Sequence, residues 1–220
     1  MLHVSPHVFV RPKRISRTLS LGMNYGLSLN DFYVYNGEKL GNFHAHPVVD
    51  RYQALRFVEN SWGLDLLPGR LRHRVASKGT FLSRPWTAFA AIVEDHPYPE
   101  NHVAAKAGSD EDIVYTYRYP PELRRRSRMM VDGFKTVVSE LLDVRALEPA
   151  DDLNRSHVCG TCRFGDDPRM SVLNRDNRAH DLDNLYILDA SFFPSSGGIN
   201  PSLTIVANSL RATDTIAQRL

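Results

Sequence analysis

The stretch from His157 to Leu210 constrains this chain more than any other part of it. It reads HVCGTCRFGDDPRMSVLNRDNRAHDLDNLYILDASFFPSSGGINPSLTIVANSL and holds most of the residues suited to chemistry. A histidine stands three residues before Gly160-Thr161. A strand-like run, Leu185 to Asp189, ends in an acid. A Gly197-Gly198 turn then leads to Asn200-Pro201, at the start of an expected helix. Asn is a favoured N-cap and Pro a favoured first-turn residue. Leu203, Val206, Leu210 and Ala217 are expected to face a core. A helix that starts here also presents free amides and its positive dipole end, which suit an anion or a cofactor gaining negative charge.

Composition narrows the setting. Apolar residues make up 42% of the 220 and charged residues 24%, so the chain can bury a core. A net charge of +2 gives no field that would mark a nucleic-acid binder. No apolar run is long enough to span a membrane. The N-terminal residues lack a secretory core and carry Arg11, Lys13, Arg14 and Arg17 with no acid before Asp31. They read as a solvated basic segment, with a transit peptide as the alternative. The only cysteines, Cys159 and Cys162, are too close to staple a domain. That makes a reducing, cytoplasmic setting the default.

Upstream, Leu27 to Tyr35 reads as a strand closed by an Asn36-Gly37 turn. His44 and His46 share an H-x-H spacing but lack a completing ligand, so they read as loop histidines. Residues 51–75 read as broken helix, and Phe89 to Val93 as a buried strand. Residues 101–106 and 113–119 read as a hairpin around the turn at 108–112. Pro120-Pro121 then opens a helix expected from Glu122 to Val144. Its buried stripe would be Leu123, Met130, Phe134, Val137, Val138 and Leu141. Arg124, Arg125, Arg126 and Arg128 read as its solvated face. Strands and single long helices that alternate irregularly point to an α+β fold.

Within the C-terminal stretch, the His157 imidazole suits proton abstraction from an alcohol. The C-x-x-C pair reads as buried thiols. A redox dithiol lacks its strand–helix flanks, and a zinc site would have to draw on His157 and His180. An acid such as Asp189, at the end of a strand beside small residues, can accept from a sugar hydroxyl or orient amides toward a phosphate.

Three linked motifs carry a resemblance: His157-x-x-Gly160-Thr161-Cys162-Arg163-Phe164-Gly165, then Leu182 to Asp189-Ala190-Ser191-x-x-Pro194, then Gly197-Gly198-x-Asn200-Pro201-x-x-Thr204. Together they resemble the C-terminal part of the glucose–methanol–choline (GMC) oxidoreductases, and Val93 to Asn101 adds to the likeness. The resemblance implies a mostly antiparallel sheet backed by helices, with residues 1–150 facing substrate and residues 151–220 completing the flavin site. It implies FAD as cofactor and oxidation of an alcohol or sugar. His157 would take the hydroxyl proton, and Asn200 would hydrogen-bond the substrate oxygen. Asp189 and Ala190 would lie beside the pyrophosphate and ribityl chain, with Asn200, Pro201 and Thr204 near the flavin ring.

None of the thirteen glycines forms the G-x-G-x-x-G fingerprint of a dinucleotide-binding Rossmann unit. The expectation is therefore a C-terminal fragment, one half of a split enzyme or a truncated product, with an N-terminal FAD-binding chain as partner. A non-catalytic docking module and a zinc-binding domain stand as rivals.

Overall fold

The computed structural model describes residues 1, 5–13, 27–45, 68–71, 74–75, 87–108, 112–147 and 157–219. Its centre is an antiparallel sheet of five strands. These are β1 (His7–Pro12), β2 (Ser28–Leu29), β5 (Gly41–Ala45), β6 (Thr87–Val93) and β9 (Leu142–Leu147), in the order β2-β5-β6-β1-β9. Two hairpins stand apart from it: β3 (Val34–Tyr35) with β4 (Glu38–Lys39), and β7 (His102–Ala105) with β8 (Ile113–Thr116). Helix α1 (Pro121–Val138) lies against β6 and β9. Helix α2 (Ser202–Ala217) closes the chain. The fold is α+β, a mostly antiparallel sheet backed by helix, and no Rossmann unit occurs among the described residues.

Burial explains the sheet. The apolar run at 88–93 becomes β6, where every side chain from Ala88 to Val93 is buried, so both of its faces are covered. Phe89, Ala91 and Val93 share one face, as period two requires, and meet α1. Phe134 of α1 sits among Phe43, Phe89 and Phe32, with ring centroids 4.6, 5.7 and 6.2 Å away. The expected Asn36-Gly37 turn joins β3 to β4, and both residues take positive φ as a type I′ turn demands. The hairpin expected around residues 108–112 is β7–β8.

Several expectations need correction. The basic N-terminal segment contains β1, the strand between β6 and β9, with Val8 and Val10 buried at alternate positions. Arg11 in this strand pairs with Asp143 at 2.8 Å. The run from Leu27 to Tyr35 is not one strand but two short ones separated by a turn. His44 stands in strand β5, and His46 falls outside the described residues.

Helix α1 ends at Val138; of the residues read as its last turns, Ser139 to Leu141 form a turn and Leu142 to Val144 belong to β9. Val137 and Leu141 are exposed. Arg126, read as solvated, is 2% exposed and ion-paired with Glu122 on the same helix. Arg125 forks onto Glu38, at 2.8 and 2.5 Å. The broken helix read over residues 51–75 falls largely outside the described residues.

Candidate active site

The segment after His157 is folded by its neighbours rather than by a sheet. His157 and Gly160 both take positive φ. From there the backbone runs beside residues 190–192. Gly160 N–H donates to the Ala190 carbonyl (3.2 Å), Cys162 N–H to Ser191 (2.9 Å) and Phe164 N–H to Phe192 (3.1 Å). This ladder brings the arm that starts at His157 alongside Ala190. Phe192 stacks on Phe193 at 4.6 Å and meets Phe164 at 5.7 Å. With Cys159, Leu173 and Ala179 they form a second apolar cluster, on which Ile205 of α2 packs. His157, two residues before Cys159, and Asn200, five before Ile205, thus hang from one cluster.

The run from Leu185 to Asp189 is not a ladder strand. It makes one isolated bridge, between Tyr186 and Arg178. Asn177, buried and at positive φ, holds it in place: its side-chain amide donates to the Ile187 carbonyl (2.9 Å), and its backbone carbonyl accepts from Ile187 N–H (3.0 Å). The Asn177 side-chain oxygen accepts from Asn208 and Arg211 of α2, and Ser209 Oγ donates to the Leu188 carbonyl. Asparagine's tolerance of positive φ and its two-way amide suit this place. Sequence reasoning missed it, because one Asn in the Arg-Asp-Asn-Arg run carries no pattern.

Asp189 caps the short 3-10 turn Ala190–Phe192, its Oδ1 accepting from Ser191 N–H (2.8 Å) and Ser191 Oγ–H. Asn200 does not cap α2 as expected. Pro201 holds that position, no side chain caps the helix, and Asn200 is exposed just before it. Pro201 is buried and Thr204 exposed. The first amides of α2 therefore have no side-chain acceptor. Leu203, Val206 and Leu210, expected to face a core, are 85%, 57% and 65% exposed. The helix instead turns Ala212, Ile205, Asn208 and Ser209 inward.

The turn that carries Asn200 rests on the sheet. Asn42 N–H donates to the Gly198 carbonyl (3.2 Å) and Tyr33 Oη to the Gly197 carbonyl (3.1 Å). Ser196 N–H donates to the Asp95 carbonyl (3.0 Å), while Asp95 N–H donates to Ser196 Oγ (2.7 Å). Ser195 Oγ donates to Glu94 Oε1 (2.5 Å), which also accepts from Lys39 Nζ (3.0 Å). Glu94 and Asp95 are 1% and 0% exposed, directly after β6.

A cleft of about 750 Å³ opens between β7–β8 and residues 158–172. Tyr98, His102, Tyr115, Tyr117 and Arg163 line it, and Val158, Gly160 and Thr161 form its wall on the His157 side. Tyr117 Oη donates to Asp95 Oδ2 (3.0 Å), and burial first, then Asp95, pushes its phenol well above the usual range. Tyr98 is pushed up to about 12, by burial and by its bond to Glu122 (2.7 Å). Both phenols stay protonated at neutral pH. Burial holds the His157 imidazole below its ordinary value, so it is mostly neutral there. Burial raises the Cys159 thiol to about 11, which keeps it protonated. Among the described residues, no group of three or more His, Cys, Asp or Glu could hold a metal ion.

A family model described as GMC oxidoreductase matches residues 97–209, more than half of the chain. The chain belongs to the GMC oxidoreductase family. The match takes in the cleft, the His157 arm, the Gly-Gly turn and the start of α2 in this GMC chain. It is 37% identical to 6'''-hydroxyparomomycin C oxidase of Streptomyces lividus over 135 residues, covering 59% of this chain and 25% of that protein. It is 35% identical to paromamine 6'-oxidase of Streptomyces fradiae over 132 residues, covering 57% of this chain and 24% of that one. Over 63 residues it is 41% identical to 2-methyl-1,2-propanediol dehydrogenase of Mycolicibacterium austroafricanum, covering 29% of this chain and 11% of the other. The GMC chain thus spans about a quarter of the length of the first two relatives. None of its described helices is long and apolar enough to cross a membrane.

Proposed function

We propose that this chain supplies the substrate-facing and catalytic C-terminal part of an FAD-dependent oxidoreductase that converts a CH–OH group of an alcohol or sugar to a carbonyl. The family match over residues 97–209 carries the reading, because it contains His157, Asp189 and Asn200 in one connected piece. Relatives named for 2-methyl-1,2-propanediol and fructose support the substrate class. The two free thiols go with a reducing, cytoplasmic setting.

The residues present fit the ring end of a flavin. The uncapped first turn of α2 offers amides and a dipole end to a group that gains negative charge. Asn200, Pro201 and Thr204 would border the ring from there. Asp189 Oδ1 is engaged by Ser191, and its Oδ2 remains for a hydroxyl of the ribityl chain beside Ala190. Bound FAD would supply the hydride acceptor.

The chain's own part is proton and orientation chemistry. His157, held neutral by burial, would accept the hydroxyl proton at a ring nitrogen. Asn200 would donate its side-chain amide to the substrate oxygen and orient the carbinol. The cleft beside Val158 and Thr161 would hold the rest of the substrate, with Tyr98 and Tyr117 as protonated phenols on its wall.

The ADP half of FAD would be held by a separate N-terminal flavin-binding part, since the chain has no G-x-G-x-x-G turn. The stripe Leu203, Val206 and Leu210 would be covered by that part. The test is to combine the chain with the FAD-loaded N-terminal part of a GMC relative, add candidate alcohols without oxygen, and follow flavin absorbance. Alcohol-dependent bleaching is expected. A stable complex that never bleaches would favour a docking module without chemistry.

A further inference from the structure

The geometry points to Glu94 as a positioning residue for Asn200, acting through the Ser195–Gly198 turn; this rests on the oxidoreductase reading above. A carboxylate is expensive to bury, and Glu94 is buried almost completely. One oxygen, Oε1, takes both Ser195 Oγ–H and Lys39 Nζ–H. The other, Oε2, is buried with no hydrogen-bond partner among the described residues. An apolar side chain at the end of β6 would carry a lower desolvation cost. What the carboxylate adds is a fixed acceptor under the turn.

The rest of the turn is clamped around that acceptor. Ser196 and Asp95 exchange two hydrogen bonds, and the Gly197 and Gly198 carbonyls are each taken by a donor from residues 33–42. A Cβ built on Gly198 would lie 3.5 Å from the Glu94 Cβ, an ordinary packing distance, so the acid stands directly beside the turn. Asn200 is two residues further on and has no cap bond of its own to fix it. The turn before it is tied to the sheet side by the bonds from Tyr33 and Asn42, so the sheet shares in setting its place. Asp95 extends the link to the cleft wall through Tyr117. The paired acids after β6 thus join the surface that would meet substrate to the residue that would hold its oxygen.

The 220-residue chain labelled with ¹⁵N tests this without flavin or substrate, so the outcome is independent of whether the assembled enzyme oxidises alcohols. Glu94→Ala is expected to speed hydrogen exchange at the Ser196 amide about ten-fold or more and to shift the Asn200 side-chain amide signal, while Met130 and Phe134 of α1 keep their protection within about two-fold. Ser195→Ala, which removes the same bond without touching the buried acid, should do likewise even if Glu94→Ala does not fold. Glu94→Gln keeps an acceptor of the same length and should stay close to wild type. Ser196 and Asn200 unmoved in Ser195→Ala would overturn the proposal. So would a loss of protection spread evenly through α1, or a Glu94→Gln chain as disturbed as Glu94→Ala.

Discussion

A Cβ placed on Gly198 would stand 2.9 Å from the Cα of Gly41 and 3.4 Å from the Leu40 carbonyl oxygen. Two glycines from opposite ends of the chain thus make the contact on which the C-terminal segment rests against the sheet. The neighbouring Gly197 shares the positive φ but faces open space. Gly197→Ala is therefore expected to cost only backbone strain, about 1–2 kcal/mol. Gly198→Ala meets backbone on the far side as well and should cost more, about 3 kcal/mol or above. Urea unfolding of the two variants measures the difference, and equal midpoints would count against the close approach.

Helix α2 carries its apolar stripe on the outside. Leu203, Val206 and Leu210 fall at i, i+3 and i+7 and are all more than half exposed. Replacing them together with Ser should leave the stability of the isolated chain within about 0.5 kcal/mol per site, because little apolar area is lost from its own core. The same variant should fail to join the flavin-binding part, and a pull-down with that part reads this directly. A large loss of stability in the isolated chain would mean that the stripe is covered within the chain itself.

The elements legible in the sequence were those written in local chemistry. Asn36-Gly37 dictates its turn, and the run from Phe89 to Val93 can only be buried. Pro121 fixes the start of α1. Elsewhere the local pattern was ambiguous or overruled. In β1, Val8 and Val10 are separated by the equally apolar Phe9, so the short run between His7 and Arg11 showed no in–out alternation. In β9, Leu142 and Val144 continue the apolar spacing of α1, so helix and strand could not be told apart until pairing with β1 chose the strand.

In α2 the usual logic is inverted. Its inward contacts include hydrogen bonds to Asn177 and Leu188, which no hydrophobic pattern reveals. His157, Asp189 and Asn200 stood out in the sequence through linked motifs, which is why they are proposed as the site. Glu94, Asp95 and Asn177 were not legible in these roles, because their partners lie far away in sequence and each bond exists only in the folded chain.

The central claim is that His157 is the base. Burial lowers its pKa, so as pH falls the imidazole stays neutral below the ordinary histidine value of 6.5 before it protonates. The unfolded chain takes that proton first, so stability also declines as pH drops from about 6.5 toward the folded value. The most direct measurement is the rate of flavin reduction by alcohol in the assembled enzyme, followed against pH for wild type and His157→Ala. The acid limb for wild type should have its midpoint below 6.5. His157→Ala should be slower by about 10²–10⁴-fold at neutral pH, with that limb removed. A variant that reduces flavin as fast as wild type, or one that keeps the same acid limb, would contradict the account.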